Sequence, residues 1–375
     1  MAVVVLIPTF QRPETLSWSL QSVLLQDTQG IDFKEELRII ILNNDVLTKH
    51  LVEDAVKKTL GNAIKHRFKS VTIVHRDPPL LGIFNFYHGL ADNTCDGDIA
   101  FLHGDDDIML AGSLAKRYLA ARQSNLAFQI AKATGKMFFF KEDGNIYLDS
   151  KRLTRDSNLS LNWRQATKDD LVDYSLPFVS AYSYKIGPEF WACYKQARKW
   201  ADALSLEPKI RLPFLPFYMG LSAWINNQLT VIPEVLIRRG QLLQSRGLLP
   251  PRVVTEYANT GIILQTGLAV LNNEDLGSIA ELDELRSSVK DATAPYLFFS
   301  LFRRDGVSLS QLKYLHRLTK IRWWSKDLLF KIIIGTGSTI FKSVCGINNL
   351  RNRLSGWGHR LSPEDFWILW KSKSY

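Results

Sequence analysis

At 375 residues, 46% hydrophobic and 22% charged, the chain carries enough apolar material for a sizeable globular core, spread by length over about two to three domains. Its three cysteines, Cys95, Cys193 and Cys345, are scattered and odd in number, which excludes a disulfide framework or a CxxC zinc site and suits a reducing cytoplasm. The net charge of +10 is concentrated in residues 307–375, with 12 Lys/Arg against 3 Asp/Glu, so this end is expected to meet anionic partners such as lipid headgroups, nucleic acid or a phosphorylated substrate.

The first residues have no basic leader, and their apolar run stops at Pro8, so Val3–Ile7 reads as a first strand and not as a signal peptide. A turn over Pro8–Pro13 leads into Glu14–Gln26, where Leu16, Leu20, Val23 and Leu24 recur at helical spacing. Leu37–Leu42 is a second buried strand, ending in Asn43-Asn44-Asp45. A helix over Leu51–Leu60 is stopped by Gly61, and Val71–Val74 is a third strand. Gly82–Ala91 reads as helical, and Asp98–Leu102 as a fourth strand that opens onto His103-Gly104-Asp105-Asp106-Asp107. Strands about 30 residues apart with helices between them predict a parallel sheet with right-handed crossovers, whose ligand sits beyond the carboxyl ends of the strands. Thr9–Arg12, Asn43–Asp45, Arg76-Asp77 and Asp105–Asp107 all fall at that edge.

Three adjacent carboxylates repel one another unless a cation or solvent compensates them. An extended backbone would point Asp105 and Asp107 to one side and Asp106 to the other, a D-x-D pair able to hold a hard divalent cation and, through it, a diphosphate. Taken alone, the same residues also describe a solvated loop. A dinucleotide fingerprint after the first strand and a G-x-x-x-x-G-K-[ST] loop are both absent, so phosphate binding falls to a metal or to basic side chains.

Several segments, taken in order, carry a resemblance. Leu6-Ile7-Pro8-Thr9-Phe10-Gln11-Arg12-Pro13 resembles the I-P-T-Y-N-R-P opening of family 2 glycosyltransferases. Ile39–Asn44 stands where that family has a strand ending in V-D-D, Leu81-Gly82 is similar to its N-x-G turn, and Gly97–Leu102 to its G-D-Y-I-A-F-L strand. His103–Ile108 resembles its H-D-D-D-I form of the DXD motif, and Val231–Leu236 its I-P-E-P-L segment. The resemblance spans roughly residues 1–240. It implies an α/β GT-A fold, a Rossmann-like, mostly parallel sheet with flanking helices. The corresponding division is a GT-A domain over 1–240, a helical extension over 241–306 and a basic, Trp-rich amphipathic C-terminal region over 307–375.

The resemblance further implies an inverting, metal-dependent hexosyl or related transferase. It would move a sugar from a nucleotide-sugar donor to a hydroxyl of a saccharide or lipid-linked acceptor, in surface polysaccharide or glycolipid assembly. Thr9 and Arg12 would lie against the nucleotide, Asn43 where the family reads the nucleobase and Arg76 by the diphosphate, with Pro8 and Asp45 as further substrate-binding residues. Asp105 and Asp106 would contact substrate, and Asp105 and Asp107 would hold Mg2+ or Mn2+. Asn43 departs from the family's usual Asp, so base identity stays open, and an Asx-turn role fits it equally. Thr9 equally suits a helix cap and Arg76 a surface arginine, while His103 reads as a partner of the aspartate cluster or as a hydrogen-bonded strand end. The family also supplies a carboxylate base shortly before the I-P-E-like segment, whereas Leu212–Phe217 contains none. Glu207 is the nearest candidate, then Asp202, with Glu189 and the group Asp169, Asp170 and Asp173 behind them. Phe178–Trp191, with Tyr182, Tyr184, Lys185 and Trp191, matches the family's acceptor side and equally suits core packing.

In the basic tail, Tyr314, Leu318, Ile321, Leu328 and Ile332 form an amphipathic stripe flanked by Lys313, Arg317, Lys320 and Lys331. Five of the ten tryptophans fall here, which suits a helix lying in the headgroup plane of an anionic cytoplasmic leaflet. The longest charge-free run has 10 residues, short of a membrane span, and no nucleic-acid motif accompanies the charge. A helical subdomain with a solvated basic face is the alternative. For the whole chain two other readings compete with the transferase: a nucleotidyltransferase, and a catalytically degenerate GT-A fold acting as a membrane-associated binding protein, motivated by the missing base.

Overall fold

A computed structural model of the chain describes residues 1–243 apart from 27–30, 34–35, 62–67, 81, 142–145, 148–162, 168–169, 171–178 and 206–214, together with 283, 284, 287 and 313. The chain divides into two compact units, one of Met1–Gln196, Met219–Ser245 and Leu361–Tyr375, the other of Ala197–Tyr218 and Arg246–Arg360.

The chain opens with the expected alternation of β1 (Val3–Thr9), α1 (Pro13–Leu24), β2 (Leu37–Asn43), α2 (Lys49–Gly61), β3 (Ser70–His75), α3 (Gly82–Asn93) and β4 (Ile99–Leu102). There follow β5 (Ile108–Met109), α4 (Ser113–Gln123), β6 (Phe128–Lys141), β7 (Ile146–Tyr147), β8 (Arg164–Gln165) and β9 (Tyr182–Lys185). Two helices, α5 (Pro188–Ser205) and α6 (Leu215–Ile225), precede the long β10 (Leu229–Leu243). The strands form one sheet ordered β3-β2-β1-β4-β9-β6-β10-β5, with β7 beside β6 and β8 beside β10. The parallel half expected from the early sequence is present as β3, β2, β1 and β4. Beyond it β9 runs antiparallel to both β4 and β6, while β10 is again parallel to β6.

β1 is a buried, β-branched run, as a strand covered on both faces requires. Side-chain alternation sorts its residues. Val3, Val5 and Ile7, with Ile39 and Ile41 of β2 and Phe101 of β4, join Leu16, Leu20, Val52, Val56, Leu114 and Tyr118 from α1, α2 and α4 in one core. Leu42, on the opposite face, fills the space that Gly89 of α3 leaves by lacking a Cβ. Pro13 stands at the start of α1, where its missing N–H costs nothing. In the second unit the rings of Trp200 and Tyr218 meet edge to face at 6.1 Å. Among the described residues no helix is long and apolar enough to cross a membrane. The stripe expected over 314–332 and the five tail tryptophans lie outside the described residues.

Candidate active site

Strand stagger builds the site. Leu102, the last residue of β4, pairs with Leu6, and β1 continues past it to Thr9 beside Asn43. His103 extends the ladder by donating its amide to the Leu6 carbonyl at 3.0 Å, and the Asp107 amide then closes a turn onto the Gly104 carbonyl at 3.2 Å. The turn carries Asp105 back to Thr9, whose hydroxyl donates to Asp105 Oδ2 at 2.8 Å. Thr9 therefore does not cap α1. The residue before that helix is Arg12, with no side-chain cap.

The turn also corrects the alternation expected of an extended D-x-D. Asp105 and Asp106 face a common cation, Arg12, whose Nη1 lies 3.6 Å from Asp105 Oδ1 and 3.1 Å from Asp106 Oδ2. Asp107 turns instead to Ser180, whose hydroxyl donates to its Oδ2 at 2.5 Å. Ser19 of α1 grips the Gly104 carbonyl at 2.8 Å, so three elements hold the turn.

Burial, reinforced by the charge of Asp106, pushes the Asp105 carboxyl up to about 7, against the opposing pull of Arg12, the Thr9 hydroxyl and the Phe10 amide. His103 is driven the other way. Its burial, helped by the Arg117 guanidinium, lowers it to about 3, so it stays neutral behind the turn with Nε2 3.5 Å from Ser22 Oγ. Arg117 is itself fully buried, held to the Tyr182 carbonyl and lying over the Phe101 ring at 5.0 Å, and its desolvation lowers it to about 9.

At the ends of β2 and β3 the polar residues are tied to one another. Asn43 is fully buried and spends both amide hydrogens internally, on the Asp45 carbonyl at 2.8 Å and on His75 Nδ1 at 3.1 Å. Asp45 accepts from Gln11 Nε2 at 2.8 Å and from the Leu47 amide at 2.9 Å. Gln11 adopts a left-handed φ of 57° to make that bridge between the β1 and β2 loops. Asn44 ties the same edge to Leu80 through a pair of hydrogen bonds. Arg76 does not join the aspartates. Its guanidinium pairs with Asp92 of α3 at 2.8 Å.

Whether these residues suit a divalent cation turns on their chemistry. The turn presents hard oxygen donors, and the raised Asp105 marks a buried carboxylate short of positive charge, which a cation would supply. Among the described residues no three or more His, Cys, Asp or Glu side chains gather as a metal cage. The fit is therefore to an open site of one or two carboxylates, the arrangement typical of Mg2+ completed by water and substrate phosphates.

No family model matches the sequence, and no curated protein matches it. Among solved structures, Staphylococcus aureus TarS 1–349 superposes with a TM-score of 0.50 at 11% identity, covering 85% of this chain and 79% of that one. The fold is GT-A. The same fragment in complex with UDP-GlcNAc gives a TM-score of 0.45 at 12% identity over the same shares of both chains. A mannosyltransferase from Pyrobaculum calidifontis, in complex with GDP-Man and Mn2+, gives 0.46 at 9% identity, covering 91% of this chain and 87% of that one.

In the GT-A frame Thr9, Arg12, Asp105 and Asp106 form one cluster at the carboxyl edge of the sheet, with Pro8 at the end of β1, and Asp45 bridged to Gln11 nearby. Glu207 lies outside the described residues, as do Asp169, Asp173 and the side chain of Asp202, which falls on α5. Asp170 is a structural acid: Arg164 grips both its oxygens at 2.6 Å, and its pKa is lowered although burial opposes this. Tyr182 and Tyr184 are fully buried and stack on each other at 5.9 Å, so core packing accounts for them. The sequence assigns no role to Ser180, and it includes Gln11 only as part of the Thr9–Arg12 edge. A serine between aromatic residues and a glutamine in a turn have no signature of their own, and only the strand ends bring them to the cluster.

Proposed function

We propose that the chain is an inverting glycosyltransferase of the family 2 type. It takes a sugar from a nucleotide-diphosphate donor and passes it to a hydroxyl of a saccharide or lipid-linked acceptor, in surface polysaccharide or glycolipid assembly. The observation that carries this reading is the three-carboxylate turn held against Thr9 and Arg12 at the carboxyl edge of a GT-A sheet. Asp105 and Asp107 would hold Mg2+ or Mn2+, which when bound neutralises the departing diphosphate. Thr9 fixes the Asp105 carboxylate, and Arg12, half-exposed at the mouth, offers a guanidinium fork to phosphate oxygens. Asp45, braced by Gln11, faces the nucleoside. Arg76 is available to the diphosphate only by releasing Asp92, and Asn43 acts by shaping the base pocket from behind.

We assign the general base to Glu207, with Asp202 as the second candidate. The base takes the proton of the acceptor hydroxyl as its oxygen bonds to the anomeric carbon, while the bond to the diphosphate breaks on the opposite face. We further propose that residues 307–375 attach the protein peripherally to an anionic inner membrane face, near a lipid-linked acceptor, and that the chain binds no nucleic acid.

A panel of uridine-, guanosine-, adenosine- and thymidine-diphosphate sugars, each with Mn2+ or Mg2+, tests the reading by release of nucleoside diphosphate and by donor binding. One nucleotide should be selected, with release dependent on Asp105. Neither binding nor release across the panel would overturn it.

A further inference from the structure

We infer that Ser180 is a positioning residue for Asp107: its hydroxyl fixes the carboxylate that the proposed function assigns to the metal. The inference rests on that reading. Strand pairing delivers Ser180 to this place. β9 runs antiparallel to β4 with Phe101 opposite Ser183, and continuing that register sets Ser180 across from Gly104. Ser180 is fully buried, in the single turn of 3-10 helix over Val179–Ala181 that precedes β9.

Hydrogen-bond polarity then leaves one arrangement. The Gly104 backbone N–H can only donate, so the contact at 2.7 Å makes Ser180 Oγ its acceptor. The single hydroxyl proton is left for Asp107 Oδ2 at 2.5 Å. Ser180 thus anchors the first residue of the turn and the carboxylate of its last residue with one atom. A second observation points the same way. A Cβ at Gly104 would stand 2.6 Å from the same Asp107 Oδ2, so the carboxylate lies folded over a position that only glycine leaves open. Outer-shell groups of this kind orient metal-binding carboxylates, and their loss typically weakens metal affinity by about 10–100-fold.

The test uses Mn2+ with inorganic pyrophosphate, a probe independent of the donor sugar, and reads free Mn2+ by electron paramagnetic resonance on the full chain. Ser180→Ala should keep the circular dichroism of the wild type and bind Mn2+ about 10-fold more weakly. Ser180→Thr, which retains the hydroxyl, should recover most of the affinity, an outcome a purely space-filling role does not produce. Should Ser180→Ala fail to fold, Ser180→Cys replaces it with a near-isosteric, weaker donor and the same weakening is expected. Asp107→Asn separates the two levels of the argument. If Asp107→Asn loses binding while folded Ser180→Ala or Ser180→Cys binds within twofold of wild type, the Ser180 inference is wrong and the metal assignment stands. If wild type and Asp107→Asn bind alike, the metal assignment itself fails and Ser180 has no such role.

Discussion

Replacing Asp105 with asparagine should stabilise the protein at alkaline pH and do nothing for it in acid. The carboxyl is buried and titrates near 7 instead of 3.8, a shift of about three pK units, or about 4 kcal/mol of penalty on the ionised folded form. Asparagine keeps an oxygen for the Thr9 hydroxyl but forfeits the 3.6 Å contact with the half-exposed Arg12 guanidinium, which solvent screens to about 1 kcal/mol or less. The expected net gain is about 1–3 kcal/mol at pH 8. The sign follows from proton affinity: the folded state holds this proton more tightly than the unfolded state, so the wild type loses stability as pH rises from about 4 to about 7. His103 acts in the opposite sense, because its folded value near 3 lies below 6.5, so stability falls as pH drops below 6.5. Both proteins carry His103, and the difference between their curves isolates Asp105. Thermal unfolding in metal-free buffer at half-unit steps from pH 4.5 to 8.5 measures it. The variant should melt several degrees higher at pH 8 and converge on the wild type near pH 4.5. Parallel curves, or a variant less stable at pH 8, would refute the argument from burial.

Asp107→Ala should abolish transfer while leaving circular dichroism unchanged, and excess chelator should do the same to the wild type; full activity in either case removes the metal from the mechanism. Glu207→Gln should lower the transfer rate by roughly 10²–10⁴-fold with donor affinity little changed, and a near-normal rate would move the base to Asp202. The full chain should sediment with anionic liposomes at low salt and be released at high salt, whereas a chain ending at residue 306 should stay in the supernatant. If both remain in the supernatant, the membrane role of the tail is lost.

The sheet edge was legible because burial on both faces leaves a strand little choice of composition: Val3–Ile7 stops at Pro8, and Leu37–Leu42 and Asp98–Leu102 stop where polar residues begin. Thr9, Arg12 and Asp105 could be grouped from that alone, and a hydrogen bond from Thr9 and an ion pair with Arg12 join both to the aspartate. The direction of each aspartate could not. Extended geometry sends Asp105 and Asp107 to one side, and the turn closed by the Asp107 amide on the Gly104 carbonyl, held by Thr9, Ser19 and Ser180, overrides it. The antiparallel entry of β9 was equally hidden, since Tyr182 and Tyr184 as core and as acceptor platform have the same sequence signature. Asn43 fell between the two cases: both of its weighed roles suit an amide at a strand end, and only its partners show that its hydrogens are spent inside the protein.

The stagger between β1 and β4 has a mechanical consequence. Thr9 and Asp105 each stand three residues past the paired Leu6 and Leu102, so their separation is set by the ladder and not by a free loop. A one-residue slip of β1 would turn Thr9 to the opposite face and strand the aspartate without its hydroxyl. The sheet thus acts as a ruler, graduated in residues, for the hydrogen bond between Thr9 and Asp105. Insertions in the outer loops leave that bond untouched, whereas a single deletion within Val3–Thr9 breaks it.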